Sequence, residues 1–270
     1  MARTFPTLCG SVSGRVSPPV LGVKMHEAGY RALELDFGYA AIESQDLRAT
    51  VASFIELGFR GFAVSMPYKL EIIQYLHEVS PDVATIGACN TVVNKNGRCT
   101  GYNTDWRGAM DALRERGVDQ PGRAIVLGAG GAARALVFGL KNAGWHVEIA
   151  ARNIQSADAL AVDFELASVH DLQKSMFPGF DLVVNTTPVA TLSDNLLNLD
   201  RYPDAKVVFD VVFNPVHTPL CAEAERRGLI SVPGWLMLLH QAVHQFKLYT
   251  DVNAPVSEMR KALLQALPQA

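Results

Sequence analysis

The stretch Gly128-Ala129-Gly130-Gly131-Ala132-Ala133, directly behind the apolar run Ala124–Leu127, constrains this chain more than any other segment. A short apolar run that ends in clustered glycines reads as a buried strand turning sharply into a helix. In the form GxGxxA, Gly128 permits the tight turn and Gly130 lets backbone approach a ligand closely. The small Ala133 allows the helix to pack against its strand. Taken alone, the motif is weak, and a plain structural glycine turn is the alternative. Here a helical pattern from Ala133 to Asn142 and a strand pattern from Val147 to Ala151 follow it, so it opens a strand–helix–strand unit. In that context Gly128, Ala129, Gly130, Gly131 and Ala132 form a pyrophosphate cradle, with helix N-terminal amides facing the phosphates.

Two more apolar strands, Leu182 to Val184 and Val207 to Phe209, complete the pattern of a Rossmann-type doubly wound dinucleotide-binding domain. The segment Val118 to Arg123, with Pro121 and Gly122, reads as the connection leading into it. Upstream, Leu33 to Phe37 is predicted as a strand, Leu47 to Leu57 as a helix and Gly61 to Ser65 as a strand. A helix is predicted after Pro67, a residue suited to a helix start. Asn94-Lys95-Asn96-Gly97 reads as a hairpin turn. Strands separated by helices predict a largely parallel sheet. At the other end, Leu236 to Tyr249 is a helix with Gln241 and Gln245 embedded in it, and Ser257 to Leu267 a second. The expected fold class is therefore α/β with two domains. Residues 1–104, completed by 238–270, form an N-terminal α/β substrate domain, and residues 105–237 the dinucleotide domain. A ligand is expected in a cleft between them.

Composition narrows the function classes. The chain has 270 residues, 49% of them hydrophobic, enough for a substantial core and against disorder. A net charge of -3 gives no reason to expect nucleic acid or an anionic membrane as the partner. Cys9, Cys89, Cys99 and Cys221 lack CxxC spacing and read as buried, reduced thiols. With no Cys/His ligand set, no metal is expected and a zinc alcohol dehydrogenase is disfavoured. No signal-peptide pattern and no membrane-length apolar run is present, so the expectation is a soluble, cytoplasmic protein, monomer or homodimer.

The strand after the glycine loop bears on which dinucleotide is held. An acidic residue at its end would bind the ribose hydroxyls of NAD. This chain instead reads Ala150-Ala151-Arg152-Asn153. The Arg152 guanidinium can pair with a 2′-phosphate and stack on adenine, which favours NADP, with Asn153 beside it. A solvent-facing Arg152 with no ligand role is the alternative, and NAD stays possible.

Two further stretches carry more polar chemistry than a fold alone needs. One is Gly61-Phe62-Ala63-Val64-Ser65-Met66-Pro67-Tyr68-Lys69. The other is Gly87-Ala88-Cys89-Asn90-Thr91, followed by Gly101-Tyr102-Asn103-Thr104-Asp105. Both set polar side chains at strand ends, where open α/β folds collect ligand residues. They resemble the shikimate dehydrogenase family, whose segments approximate NVTxPxK, GAxNT and GxNTD in this order. The glycine loop, Asn185-Thr186-Thr187-Pro188, Asp210 to Pro215 and Gly234 to Gln241 extend the likeness across nearly the whole chain. The resemblance implies a reversible hydride transfer between NADP and a cyclic hydroxy acid, as in aromatic amino acid biosynthesis. It implies Lys69 and Asp105 as the catalytic pair. It further implies Ser65, Asn90 and Gln241 as substrate-binding, and Thr187, Val211, Gly234 and Met237 as lining the cofactor.

Side-chain chemistry is compatible with those roles. A partly desolvated lysine can exchange the hydroxyl proton as hydride leaves, and a carboxylate beside it can hold the hydroxyl. Amides such as Asn90 and Gln241 both donate to and accept from a polyol. Each residue also has a plainer alternative: a surface lysine for Lys69, a helix cap for Asp105, a helix-crossing polar residue for Gln241, core packing for Met237.

Departures from the family pattern concern the substrate. Where members carry SxSP to hold a carboxylate, this chain has Gly14-Arg15-Val16-Ser17-Pro18. Anchoring on Pro18 puts Arg15 at the first serine and keeps Ser17, while another alignment uses Ser11 and Ser13. Arg15 could pair bidentately with a carboxylate. Ala63 stands for the usual asparagine, Ser65 for threonine and Phe213 for tyrosine. These changes resemble the shikimate dehydrogenase-like branch, which implies the same reaction with weak shikimate turnover. Two other readings stay open. One is an NAD-linked quinate or shikimate dehydrogenase of catabolism, against which Arg152 argues. The other is a low-turnover NADP-binding sensor, against which the joint presence of Lys69 and Asp105 argues.

Overall fold

Apolar residues along Thr7–Ser13 build β1, an inner strand of a six-stranded sheet. The computed structural model describes residues 5–173, 176–188 and 197–268. Two compact units divide the chain, Met1–Thr104 with Gln241–Leu267, and Asp105–His240 with Pro268–Ala270.

In the first unit, β1 pairs in parallel with β2 (Phe37–Glu43) and β3 (Gly61–Val64). Parallel neighbours need crossover connections, here α1 (Leu21–Ala32) and α2 (Leu47–Glu56). The Asp46 side chain caps α2 by accepting from the Ala49 N–H at 3.0 Å. Leu47, Val51 and Phe54 of that helix bury against Val12, Phe62, Val64 and Ile72. A short strand β4 (Glu78–Val79), helix α3 (Pro81–Ile86) and the hairpin β5 (Thr91–Lys95) and β6 (Arg98–Tyr102) follow, and the sheet order is β2-β1-β3-β5-β6-β4.

The hairpin turns on Asn96 and Gly97, at φ 55° and 84°, the pair of positive angles that a two-residue turn of this hand requires. A hairpin cannot be parallel to itself, so the parallel order expected from the sequence holds through β2-β1-β3 and gives way at β5 and β6.

Two predicted elements fall elsewhere. The run Leu33 to Phe37 is not a strand but the closing turn of α1: Leu33, Glu34 and Leu35 N–H groups donate back to Gly29, Arg31 and Tyr30, with Glu34 at φ 53°. The strand starts only at Phe37. After Pro67 comes a turn and a 3-10 helical stretch, Glu71–Tyr75, rather than an α-helix. Here Tyr68 Oη donates to the Ser44 carbonyl at 2.6 Å and Ile72 is fully buried, so tertiary ties override the helix-start signal.

The second unit holds one parallel sheet, β7 (Arg123–Leu127), β8 (His146–Ala151), β9 (Val169–Asp171), β10 (Leu182–Asn185), β11 (Val207–Asp210) and β12 (Ile230–Pro233). Its order is β12-β11-β10-β7-β8-β9. Read from β9, the strands run third, second, first, fourth, fifth, sixth, the doubly wound arrangement of dinucleotide-binding folds. Helices α4 (Asp105–Glu115), α5 (Gly131–Asn142), α6 (Ile154–Asp163) and α7 (Pro219–Arg226) belong to this unit. Helix α8 (Gly234–Thr250) begins in it and ends in the first, where α9 (Val256–Ala266) follows. Among the described residues no helix is long and apolar enough to cross a membrane, and none of the His, Cys, Asp and Glu groups could hold a metal ion. All four cysteines are buried and none is in a disulfide.

Candidate active site

Strand order reverses between β7 and β10, and there the second unit concentrates its polar groups. Gly128 leaves β7 at φ 111°, a left-handed angle open to glycine, and a Cβ there would sit 2.6 Å from Thr186 Oγ1. Thr186 donates twice to the Leu127 carbonyl, from its N–H at 2.9 Å and its hydroxyl at 2.7 Å, knitting the two strand ends together.

Gly130 is the N-cap of α5 and uses no side chain to cap it. A Cβ at Gly130 or Gly131 would meet nothing within 4 Å, so the space over the first amides of α5 is open. Ala133 is fully buried in the core shared with Val126 and Ile149. An unobstructed helix N-terminus lined by glycine fits a pyrophosphate.

At the end of β8, Arg152 is exposed and makes no hydrogen bond or ion pair among the described residues. Asn153 has a structural task, since its Oδ1 accepts from the Ser156 N–H at 3.0 Å as the cap of α6.

Thr187, Val211 and Gly234 are brought together through a pair the motif reading left without a role. Asn185 Nδ2 donates to Asp210 Oδ1 at 2.9 Å, and Asn185 Oδ1 accepts from the Thr187 N–H and hydroxyl at 3.0 and 2.6 Å. Asp210 also accepts from the Thr218 hydroxyl at 2.6 Å and the Val212 N–H at 3.1 Å. Burial pushes the Asp210 carboxyl above its ordinary range, with these three donors opposing. The Val211 N–H donates to the Asn185 carbonyl, and a Cβ on Gly234 would fall 2.3 Å from the Val211 carbonyl oxygen, so only glycine lets α8 begin there. Met237 is buried in the core of this unit. Phe213 is 38% exposed.

In the first unit, the candidate substrate residues gather where β1 and β3 end. The Gly14 N–H donates to the Met66 carbonyl at 3.0 Å and the Ser65 N–H to the Val12 carbonyl at 2.9 Å, so the turn carrying Arg15 and Ser17 lies beside the segment carrying Ser65. Arg15, Ser17 and Ser65 are exposed. Ser13 Oγ donates to the Arg15 carbonyl at 2.9 Å, which engages the Ser13 hydroxyl within its own turn. The Lys69 carbonyl accepts from the Cys89 N–H at 2.8 Å, next to Asn90, and its side chain is half-buried.

Asn90 itself is 2% exposed and is held by Thr91 and Thr104, two residues the motif reading passed over. Its Oδ1 accepts from the Thr104 N–H at 2.7 Å and from Thr91 Oγ1 at 2.8 Å. Its Nδ2 donates to Thr104 Oγ1 at 3.0 Å and faces Gln241 Oε1 at 3.4 Å. The threonine after each asparagine, in Asn90-Thr91 and Asn103-Thr104, was the signal available in the sequence. Asp105 follows Thr104 directly, buried at 6% exposure, as the first residue of α4.

Comparison with known proteins identifies the family. The family described as shikimate dehydrogenase substrate binding domain matches residues 15–92, and the shikimate 5′-dehydrogenase C-terminal domain matches residues 234–264. The chain is 39% identical to a shikimate dehydrogenase (NADP(+)) of Geobacter sp. (strain M21), covering 95% of this chain and 92% of that protein. Among solved structures, it is similar to shikimate 5-dehydrogenase from Thermus thermophilus in complex with NADP(H) and shikimate, at 34% identity and TM-score 0.88, over 96% of this chain and all of that one. It is also similar to a shikimate 5-dehydrogenase-like protein at 33% identity and TM-score 0.87, covering 98% of this chain and 99% of that one. With likeness of this level along its whole length, the chain belongs to the shikimate dehydrogenase family.

Proposed function

We propose that this enzyme, an oxidoreductase of that family, moves a hydride reversibly between NADP and the alcohol or ketone of a cyclic polyol acid, shikimate and 3-dehydroshikimate or a close analogue. The observation that carries the substrate side is the cluster of buried Asn90 and Thr104 with half-buried Gln241, an amide and hydroxyl lining suited to ring hydroxyls. When bound, the nicotinamide supplies or accepts the hydride.

The chain's own groups do the rest. Gly128 to Ala132 hold the pyrophosphate against the α5 N-terminus, and Arg152 takes the 2′-phosphate that NAD lacks. Thr187, Val211 and Gly234, held near Asn185 and Asp210, line the nicotinamide side together with Met237. Lys69 takes the hydroxyl proton during oxidation and returns it during reduction, while Asp105 holds the hydroxyl and orients the amine. Ser65, Asn90 and Gln241 bind the ring, and Arg15 with Ser17 meets the carboxylate. The first unit thus acts as the substrate domain and the second as the cofactor domain.

The test is a screen of cyclic hydroxy acids with NADP and with NAD, read as nicotinamide absorbance. Turnover of shikimate or a close analogue with NADP preferred is the expected result. Absence of turnover with every acid and both dinucleotides would overturn the assignment.

A further inference from the structure

We propose that Glu43 fixes the charge class of the substrate, so that the site admits one carboxylate, met by Arg15, and turns away a second negative charge. Glu43 is the last residue of β2 and is in register with Ser13, the last of β1. Residues paired in this way lie on one face of a sheet. The Ser44 N–H, donating to the Ser13 carbonyl at 3.0 Å, keeps the two strand ends in step. From that position Glu43 Oε2 accepts from the Val16 N–H at 2.9 Å, in the middle of Arg15-Val16-Ser17.

Two amides of this turn are thus engaged within the protein, Val16 by Glu43 and Gly14 by the Met66 carbonyl. An incoming carboxylate is left to the side chains of Arg15 and Ser17. Glu43 and Arg15 are both exposed, and neither makes an ion pair among the described residues. The Glu43 charge is therefore not absorbed by Arg15 but stands beside it on the same turn. A guanidinium pairs bidentately with a single carboxylate. Once that pair has formed, Glu43 leaves the turn net negative, and a second anionic group on the ligand meets repulsion there.

This inference rests on the reading of Arg15 and Ser17 as the carboxylate contact. Glu43→Gln tests it, because the glutamine oxygen still accepts from the Val16 N–H while the charge is gone. Three ligands are compared by KM and by calorimetric titration: the preferred acid, its uncharged carboxamide, and a ring analogue with a second carboxylate. Removing one unit charge beside a solvated anion site strengthens anion binding by about three- to tenfold. The acid should gain by that factor, the dicarboxylate by more, and the carboxamide not at all. Molar salt should shrink the difference between the native enzyme and the variant.

Unchanged affinity for both acids in Glu43→Gln, or an equal shift for the acid and its carboxamide, would overturn the proposal. Arg15→Ala separates the two ways of failing. If it weakens the acid while Glu43→Gln does nothing, the carboxylate reading stands and the role of Glu43 alone falls. If it leaves the affinity for every acid unchanged, the carboxylate is held elsewhere and both fall together. Calorimetry gives these answers even for an acid that the enzyme binds without turning over.

Discussion

The Asn185 side-chain amide donates to Asp210 Oδ1 across 2.9 Å, tying the ends of β10 and β11 together where the sheet of the second unit presents its loops. Asp210→Ala leaves three donors, on Asn185, Thr218 and Val212, without their acceptor. Orphaned buried groups cost about 1–3 kcal/mol each, so a loss of about 3 kcal/mol after relaxation is expected. The Thr187 and Val211 backbone would lose its fixed placement with it. Thermal unfolding and calorimetric titration with NADP check both effects. Native affinity in a destabilised variant would show that the pair supports the fold and not the ligand.

Lys69→Ala should lower kcat by about a hundred- to ten-thousandfold, the range a positioned acid–base group contributes. Dinucleotide affinity should hold, because Lys69 belongs to the first unit and the glycine loop to the second. Steady-state kinetics with the best acid of the screen, beside NADP titration, is the measurement. A variant with near-native kcat would remove Lys69 from the chemistry.

How far the sequence revealed this arrangement depended on the range of the interaction. Gly128 and Ala133 were legible because each answers a local backbone or packing demand, and the parallel sheet behind them followed from alternating apolar runs and helices. Leu33–Phe37 misled because an apolar run looks the same whether it closes a helix or opens a strand, and only the left-handed Glu34 separates the two. Pro67 misled because its helix-start signal is local, whereas the Tyr68 bond to Ser44 crosses 24 residues. Asn90 stood out in its motif, but Gln245 lies 154 residues from the Thr91 hydroxyl to which its amide donates, a distance no spacing rule covers. The Asn185–Asp210 pair was hidden the same way, 25 residues apart on neighbouring strands.

Arg152→Ala should weaken NADP far more than NAD. A charge-assisted phosphate contact contributes about 1.5–3 kcal/mol, or one to two decades in affinity. Arg152 engages no other group among the described residues, so its removal should leave the fold intact. Dissociation constants for both dinucleotides decide it. Equal weakening would show that the guanidinium does not read the 2′-phosphate.

Acid should destabilise the first unit through His26. Its ring stacks on Tyr39 at 4.5 Å between centroids and packs against Tyr30, Phe246 and Tyr249, fully buried. Burial pushes the imidazole from 6.5 down to about 4, with the Gln245 side chain opposing. A histidine depressed in the fold takes its proton more readily when unfolded. Its stability contribution is therefore complete above pH 6.5 and is lost progressively as pH falls toward 4. The shift corresponds to about 3 kcal/mol. Replacing His26 with Phe should flatten the stability profile between those limits by that amount, measured by urea unfolding across the pH range. An unchanged slope would assign the acid sensitivity to carboxylates elsewhere.

Substrate choice should turn on Arg15 and Phe213, two departures from the family pattern exposed at loops following strand ends. Arg15 adds a charge that can pair with a carboxylate, whereas Phe213 lacks the hydroxyl that a tyrosine would offer a polyol. The native site should then hold an acid firmly and a shikimate ring loosely. A site built to bind a hydroxyl discriminates strongly when that bond is missing, so restoring the donor should help most with the ring that needs it. Arg15→Ser with Phe213→Tyr is expected to raise kcat/KM for shikimate about tenfold or more over the native chain, with Phe213→Tyr alone giving part of the gain. The Ser13 hydroxyl, already engaged by the Arg15 carbonyl, makes the alignment through Ser11 and Ser13 the less favourable one for a carboxylate. Kinetics of both single variants and the double variant, on shikimate and on acids lacking one ring hydroxyl, separate the two effects. If Arg15→Ser leaves KM unchanged for every acid tested, Arg15 does not meet the substrate and the carboxylate is held elsewhere.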